Sequence, residues 1–401
     1  MRRYLLPWVL AAAACGETEG AGFSFAAEEA WPQRSLLPPV QGPRLVVTNS
    51  GDDTLSFVDA GSFEEIARVP VGIFPVEVEG PHHVAVSHDG RHLFIGISNT
   101  LAEGAQAGGP HGSHGTGSAD GYLLKIDALT GRQVGRVRVE RSPGDVRLQP
   151  DGTRVWQSHY DLVTFAAFVG MGGRAIDARS HVVVTDAATL ERVARVQICP
   201  TSHGIGFAPD GSEAYVSCSW TEELAIIDTA TFEVERHFVG PDPGTWPLLR
   251  YQPYALTVAP DGKVWTSNTG PVERGVRVFD PAARAEVPEL ALALDATPLF
   301  GDFTEAGDRF FLVTQTPDRL LAIDPSDASI VQSVELGPLG CLNAHAAVLS
   351  PDESELWVVC EGDRLAVPGT LERFDVETLG PTGHVELGLF PDDVALIPEP
   401  R

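Results

Sequence analysis

The chain has 401 residues, of which 43% are hydrophobic, and its formal net charge at pH 7 is −27. A surface this acidic repels phosphate backbones, so a nucleic-acid partner is excluded. With this hydrophobic content and 41 glycines, the chain can bury a large core as one globular domain.

The N-terminus has the layout of an export signal. Two arginines precede an apolar run, residues 4–14, which Cys15 follows. This stretch resembles a bacterial lipobox, so we predict a signal peptide over residues 1–14 and lipidation of Cys15, with simple secretion as the alternative. Residues 15–43, rich in Gly, Glu and Pro, would be the lipidated tether. The protein would then be an envelope lipoprotein, periplasmic or on the outer surface, that touches the membrane only through its lipid.

The rest of the chain repeats one unit, seen most clearly in residues 196–240. Four short apolar runs separated by turn residues predict a four-stranded antiparallel meander. An Asp after an apolar pair marks the end of each third strand. Seven such residues occur: Asp59, Asp127, Asp186, Asp228, Asp280, Asp324 and Asp375. Seven sheets are therefore expected.

The two ends of the repeat region complete each other. Residues 44–49 read as a second strand with nothing before it, and residues 390–398 read as a first strand with nothing after it. A C-terminal strand that pairs with three N-terminal strands closes the ring of a β-propeller. We therefore predict an all-β fold, a seven-bladed β-propeller with four-stranded antiparallel blades, as a single domain over residues 44–398.

Several motifs also carry a family resemblance. The Val-Thr-Asn at residues 47–49, the Ile-Asp-Thr at 227–229 and the Val-Gly pairs at 71–72 and 239–240 resemble the YVTN-type seven-bladed propellers of exported bacterial proteins. The resemblance implies the fold and a binding role at the cell surface. It implies no particular chemistry, because propellers host many functions.

Four cysteines lie inside the propeller region. Cys199 and Cys218 are 19 positions apart, as are Cys341 and Cys360, and both pairs occupy the same places in their blades. In an antiparallel pair, the residues before the first strand lie beside the end of the second, within disulfide reach. We predict the disulfides Cys199–Cys218 and Cys341–Cys360. Thiolate metal ligation is the alternative, since a histidine follows Cys199 and Cys341 by four positions.

The long loops are expected on one face of the ring. Insertions at residues 99–120, 160–180, 240–252 and 361–369 all fall on the face where each innermost strand begins, which we call the top face. Long loops that persist on one face favour binding there. A protein or small-ligand partner is therefore expected at the top face.

Register predicts which residues surround the channel at the top face. The residues that open the seven innermost strands are His82, Gly144, His203, Tyr254, Leu299, His345 and Asp392. Top loops add His83, His111, His114, His159 and His181. Clustered imidazoles in an exported protein favour copper or zinc. The predicted metal ligands are His82, His203, His345, His111, His114 and His159, and the predicted ligand-binding mouth includes Tyr254, Asp392, Met171 and Trp246.

A structural role for these histidines is the alternative interpretation. The three blades that carry His82, His203 and His345 are not neighbours, so the rings could lie about 10 Å apart, too far for one ion with bonds of about 2 Å. Met171 is either a soft metal ligand or an apolar side chain packed on the channel.

Several chemistries lack their motifs. The sequence has no Cys-x-x-Cys-His for covalent haem, no Gly-x-Ser-x-Gly elbow and no P-loop. Two classes remain. The first is a binding module that takes a protein, a glycan or a metal ion at its top face. The second is a propeller enzyme with a metal at the channel mouth, either a lactonase-type hydrolase or a copper redox protein. The sequence does not decide whether the protein is an enzyme.

Overall fold

The protein is a seven-bladed β-propeller. The computed structural model describes residues 35–39, 42–72, 79–98, 119–241, 250–363 and 366–399. These residues form seven antiparallel sheets, six of four strands and one in which the outermost strand is split in two. The predicted fold class and blade number are confirmed.

In blades 1 to 6, the strands run from the channel outwards in chain order. The first three of the chain are β1 (Arg44–Asn49), β2 (Thr54–Asp59) and β3 (Glu65–Pro70). Blade 1 contains β4 (Pro81–Val86), β5 (His92–Ile97), β6 (Asp120–Asp127) and β7 (Gln133–Arg141). Blade 2 contains β8 (Pro143–Leu148), β9 (Arg154–His159), β10 (Ser180–Asp186) and β11 (Arg192–Ile198). Blade 3 contains β12 (Ser202–Phe207), β13 (Glu213–Cys218), β14 (Glu223–Asp228) and β15 (Val234–Phe238).

The remaining blades follow the same order. Blade 4 contains β16 (Pro253–Val258), β17 (Val264–Asn268), β18 (Gly275–Asp280), β19 (Ala285–Glu286) and β20 (Leu292–Ala293). Blade 5 contains β21 (Thr297–Phe303), β22 (Phe310–Gln315), β23 (Arg319–Asp324) and β24 (Ser329–Glu335). Blade 6 contains β25 (Ala344–Leu349), β26 (Glu355–Cys360), β27 (Thr370–Asp375) and β28 (Pro381–Glu386), and the chain ends with β29 (Pro391–Ile397).

The C-terminal strand closes the ring as predicted. β29 pairs antiparallel with β1, with Arg44 opposite Ile397 and Val47 opposite Val394, so blade 7 has the order β29-β1-β2-β3. Ile397 is fully buried in a core that blade 7 shares with blade 1. Closure therefore removes the open edge of β1 and joins the two ends of the chain by packing as well as by hydrogen bonds.

The repeated aspartates act in the turns between third and fourth strands. Asp59 Oδ1 accepts the backbone N–H of Gly61 at 3.1 Å and of Ser62 at 2.7 Å. Asp228 Oδ1 makes the same contacts with Ala230 and Thr231. These bonds favour the ionised carboxylate, and they lower the pKa of Asp59 and of Asp228. The side chain used to count blades in the sequence is thus the one that shapes each turn.

Both predicted disulfides are present. The Cα atoms of Cys199 and Cys218 are 5.7 Å apart, and those of Cys341 and Cys360 are 5.2 Å apart. Each bridge ties the residues before an innermost strand to the end of the second strand. The cysteines are therefore not free thiolates, and the alternative of thiolate metal ligation is wrong.

Part of the segment expected to be tether packs on the propeller. Leu37 is 4% exposed and belongs to the core shared by blades 7 and 1, and the Leu36 N–H donates to Thr130 O at 2.7 Å. The top-face insertion of blade 2 contains the helix α1 (Leu162–Gly170). Among the described residues, no helix has the length and apolar character needed to cross a membrane.

Candidate metal centre

A β-bulge recurs at the start of all seven innermost strands. In β4, for example, Pro81 lies opposite Ile97 and Val84 lies opposite Ile95, so three steps along one strand match two along the other. The same register shift occurs in β8, β12, β16, β21, β25 and β29. A bulge places an extra residue on one strand and turns consecutive side chains to the same side. Consecutive residues such as His82 and His83 can thus both face the channel.

Hydroxyl groups of second strands fix where these bulges sit. Thr48 Oγ1 donates to His82 O at 2.5 Å, and Ser217 Oγ donates to Tyr254 O at 2.5 Å. Ser158 Oγ donates in the same way to His203 O. Each bond runs from one blade to the innermost strand of the next, so the residues around the channel are held by the packing of neighbouring blades.

Three histidines meet in the channel. His82, His83 and His203, which we call the histidine triad, each offer a ring nitrogen, and these nitrogens lie within 4.8 Å of one another. The ring centroids of His82 and His203 are 5.6 Å apart. His82, His83 and His203 are 3%, 1% and 0% exposed. The expectation that blades 1 and 3 hold their rings about 10 Å apart is wrong, because the innermost strands converge at the channel and the bulges aim the rings inwards.

His83 is oriented by carboxylates. Its Nδ1 lies 3.1 Å from Asp393 Oδ2 and 3.5 Å from Asp145 Oδ1. A carboxylate accepts, so Nδ1 carries a proton, and whenever the ring is neutral its lone pair is at Nε2. Nε2 is buried and has no hydrogen-bond partner among the described residues. A ring nitrogen held by a carboxylate, with the other nitrogen left as a donor of electrons, is the arrangement of metal-ligating histidines.

The carboxylates behind His83 are themselves held in place. Asp145 Oδ2 accepts the backbone N–H of Ile205 at 2.9 Å and Arg147 Nε–H at 3.1 Å. Burial lowers the pKa of His83, but the two carboxylates outweigh it and raise that pKa above its ordinary value. Burial likewise opposes ionisation of Asp393, and the bond from His83 reverses the effect and lowers its pKa. The channel is therefore a site where positive charge is stabilised.

Aromatic rings fix the other side of the histidine triad. His203 stacks on Tyr254, with ring centroids 3.8 Å apart and an angle of 23° between the planes. Tyr160 contacts the edges of both rings at 5.7 Å. Phe300 lies 5.0 Å from His83 and 5.4 Å from the ring of His345. Apolar walls of this kind hold the imidazoles rigid and keep water away from them.

A second group of potential ligands adjoins the first. His345, Glu361 and Asp392, which we call the mixed cluster, place one ligand atom each within 4.8 Å of one another, and all three residues are fully buried. The His345 ring is 6.2 Å from the rings of both His82 and His83. The structure thus brings His345 beside the histidine triad but groups it with two carboxylates.

The face opposite the top face has an open funnel. This funnel is a cavity of about 530 Å³ lined by the later residues of the seven innermost strands. Its walls combine apolar side chains such as Phe300 with the polar side chains of Arg147, Asp302 and Asp393. Burial raises the pKa of Asp302 to about 6. Phe300 and Asp393 also contact His83, so side chains of the funnel wall lie directly between the funnel and the histidine triad.

His159 lies elsewhere on the top face. Its Nδ1 donates to His181 O at 2.9 Å and its Nε2 accepts the Glu140 N–H at 3.2 Å, so both ring nitrogens are occupied. Burial lowers the pKa of His159. The residue lines a cavity of about 310 Å³ between blades 1 and 2, the side cavity, together with His181, Glu140 and Arg195. The prediction that His159 faces the same mouth as the other histidines is wrong.

Met171 is exposed to solvent. Met171 is the residue after the last turn of α1 and is 82% exposed, so it is not an apolar side chain packed on the channel. His111, His114, Trp246 and the predicted lipidation site Cys15 lie outside the described residues. Tyr254 and Asp392, the other two residues of the predicted mouth, are 3% and 0% exposed; Tyr254 stacks on His203, and Asp392 groups with His345.

Sequence reasoning missed the carboxylates and one histidine. Counting from the turns places His83 in a top loop and does not identify Asp145, Asp393 or Glu361 as ligands or partners. The bulge is the reason, because counting by alternation assigns only every second residue to the channel. A signal was present in the sequence, since residues 82–83 and 392–393 pair a predicted channel residue with a second polar residue.

Comparison with known proteins supports the fold. No protein-family model matches the sequence, and no curated protein matches it significantly. Among solved structures, the chain is similar to a functionally unknown protein from Desulfotomaculum acetoxidans, with a TM-score of 0.63, 13% identity, and 88% of this chain and 98% of that chain covered. It is also similar to a periplasmic gluconolactonase from Pseudomonas aeruginosa, with a TM-score of 0.58, 14% identity and coverage of 89% and 99%. Hydrazine synthase from Kuenenia stuttgartiensis gives a TM-score of 0.60 at 17% identity, with coverage of 82% and 97%.

These likenesses establish the class of protein. They cover 82% to 89% of this chain, and the two neighbours with a named activity, a gluconolactonase and a hydrazine synthase, differ in it, so what they share with this chain is the fold. The chain is thus a seven-bladed β-propeller, and its likeness to these proteins is one of fold.

Proposed function

We propose that this protein is an exported β-propeller that binds a divalent transition metal, zinc or copper, at the histidine triad in its channel. The observation that carries the proposal is His83, which is held at Nδ1 by Asp393 and leaves a buried Nε2 beside two further imidazoles. Three neutral imidazoles suit zinc and copper(II). The carboxylates behind His83 would offset part of the charge of the ion.

The donor set narrows the kind of metal site. The described cysteines are in disulfides, and Met171 is exposed on α1. Among the described residues, no thiolate or thioether is therefore available to the histidine triad. A blue-copper electron-transfer site needs a cysteine thiolate, so a copper redox site of that kind is not supported. A three-imidazole site with a fourth position for a small ligand fits better.

The test is metal stoichiometry. The mature protein, stripped with a chelator and reloaded with Zn²⁺ or Cu²⁺, should retain the ion after desalting, as measured by elemental analysis. Because an ion that binds only the folded state stabilises it, the melting temperature should rise with metal concentration. H83Q and H203Q should lose both the retained ion and the shift in melting temperature.

A matched control distinguishes loss of the histidine triad from the loss of any one histidine. His237 lies on the outermost strand of blade 3 and contacts Glu235. H237Q should behave as the unaltered protein does. The proposal fails if the unaltered protein retains no stoichiometric metal, or if folded H203Q retains as much as H237Q.

A hydrolase is the second candidate function, and the funnel favours it. A cavity of about 530 Å³ shares Phe300 and Asp393 with the surroundings of the histidine triad. An organic substrate in the funnel would lie next to the side chains that hold His83, and if these side chains moved aside a bound metal could polarise its carbonyl or activate water. The similarity to a gluconolactonase makes lactones the first substrates to test. Zn²⁺-dependent lactone hydrolysis that H203Q lacks would support it, and hydrolysis unaffected by metal removal would oppose it.

Localisation and partners complete the proposal. Two disulfides suit an oxidising compartment, which agrees with export. We assign lipidation to Cys15 and a protein or glycan partner to the top face, where the side cavity carries Glu140, His181 and Arg195. Palmitate labelling of the unaltered chain but not of C15A would test the lipid anchor.

A further inference from the structure

We propose that the mixed cluster of His345, Glu361 and Asp392 is a second cation site, so that the channel holds two metal ions of different ligand chemistry. This site takes a divalent ion that accepts oxygen ligands, Mn²⁺ or Zn²⁺. It is distinct from the histidine triad, and either site could bind an ion without the other.

A backbone carbonyl fixes the tautomer of His345. Its Nδ1 bonds the backbone carbonyl oxygen of Asp392, and a carbonyl can only accept, so Nδ1 carries the proton. The neutral ring then has its lone pair at Nε2. This nitrogen lies 3.9 Å from Glu361 Oε1, which in a carboxylate also carries only lone pairs. When both groups are unprotonated these two atoms repel each other, and a cation held between them, a proton or a metal ion, removes that repulsion.

The distances between the ligand atoms of the mixed cluster suit a single ion. Two atoms that bind one zinc ion at about 2.1 Å each lie no more than about 4.2 Å apart. Nε2 of His345 and Oε1 of Glu361 meet this limit at 3.9 Å. The three ligand atoms of the mixed cluster lie within 4.8 Å of one another, so small side-chain rotations are enough to bring all three to a single ion.

Neighbouring residues hold Asp392 and Glu361 in position. Ser50 Oγ contacts Asp392 Oδ2 and fixes the direction of that carboxylate. Glu361 directly follows Cys360, whose disulfide to Cys341 ties it to the start of β25. The Glu361 N–H also donates to Asn343 O at 3.0 Å. Ligands held by outer contacts in this way lose little freedom when they bind an ion.

The ligand types differ between the two sites. The histidine triad has nitrogen donors alone, which suit copper and zinc, whereas the mixed cluster has one nitrogen donor and two carboxylates, which suit manganese and zinc. His345 lies 6.2 Å from His82 and from His83, so ions in the two sites would be close neighbours. Mixed loading with one Cu²⁺ and one Mn²⁺ is therefore expected.

The experiment is a count of ions in matched variants. Chelator-stripped protein loaded with Zn²⁺ should retain two ions per chain. E361Q should retain one, H203Q should retain one, and the double variant should retain none. Electron paramagnetic resonance of protein loaded with Mn²⁺ should show a bound signal that E361Q loses and H203Q keeps.

The control is another buried glutamate beside a histidine. Glu372 is 2% exposed and its Oε1 lies 2.7 Å from His384 Nδ1, but the pair lies on outer strands of blade 6. E372Q should retain two ions. If E361Q does not fold, D392N takes its place, with a thermal melt to show that the protein is intact.

The outcomes distinguish this proposal from the proposed function. Two retained ions in folded E361Q or D392N would overturn the second site, and so would a single retained ion in the unaltered protein that H203Q abolishes. Loss of one ion in E361Q, with none lost in H203Q, would support the second site and contradict metal binding by the histidine triad.

Discussion

The contact that closes the ring makes a quantitative prediction. Ile397 is fully buried, pairs with Arg44 across β29 and β1, and packs in the core that blade 7 shares with blade 1. Replacing a buried isoleucine by alanine removes its apolar contacts and leaves a cavity, at a cost of about 2 to 5 kcal/mol. Because Ile397 joins the two ends of the chain, we expect I397A to lower the free energy of unfolding by about 3 kcal/mol, in the middle of that range.

An exposed isoleucine supplies the control. Ile330 lies on β24, the outermost strand of blade 5, and is 43% exposed. I330A makes the same chemical change and should cost less than about 1 kcal/mol, since little is buried there. Urea unfolding followed by tryptophan fluorescence would measure both, and unfolding rates would replace equilibrium values if refolding is incomplete.

An I397A substitution that lowers the free energy of unfolding no more than I330A does would refute this role of Ile397. That result would mean that the pairing of β29 with β1 contributes little to stability. Deletion of residues 390–398 is the stronger form of the same test, because it exposes the edge of β1 along its whole length. The deleted protein should lose its cooperative unfolding transition, and an unchanged melting temperature would contradict ring closure.

Three further predictions follow from the contacts described above. Mass spectrometry under non-reducing conditions should find no free thiol at Cys199 or Cys218, and their joint replacement by serine should cost about 3 kcal/mol, as expected for a loop of this length. D393N should weaken Zn²⁺ binding about 10- to 100-fold by removing the carboxylate that orients His83, whereas unchanged affinity in a chelator competition assay would exclude that role. Burial opposes ionisation of Glu140, but its basic neighbours outweigh burial and lower its pKa from 4.5 to about 2. Its contribution to stability is thus present above about pH 4.5 and lost as the pH falls towards 2, so E140Q should flatten the decrease in melting temperature over that interval.

The fold was predictable because its signals are local and repeated. The aspartate that ends each third strand bonds the next two backbone N–H groups, so a turn recurs wherever this residue does. The disulfides were predictable for a related reason, since Cys199 and Cys218 have the same spacing in their blade as the second pair has in its own. Such patterns depend on strand pairing within one blade, which sequence order already implies.

The site was only partly predictable. His82, His203 and His345 open innermost strands, as counting from the turns indicated. Counting could not show that His345 would group with Glu361 and Asp392 instead of with the other imidazoles. That grouping depends on how blades 6 and 7 are positioned across the channel, which no spacing within either blade encodes.

By itself, the sequence determined the number of blades, the closure of the ring and the pairing of the cysteines, because each of these follows from contacts between strands that are adjacent in the repeat. Only the tertiary structure decided which polar groups meet. Bulges at the start of the innermost strands turned His83, Asp145 and Asp393 into the channel and brought them together from three blades. The physical reason is that a ring of seven strands makes neighbours of residues as far apart in the chain as His83 and Asp393, which are 310 positions apart. Such neighbours are set by packing between blades, which a local pattern does not record.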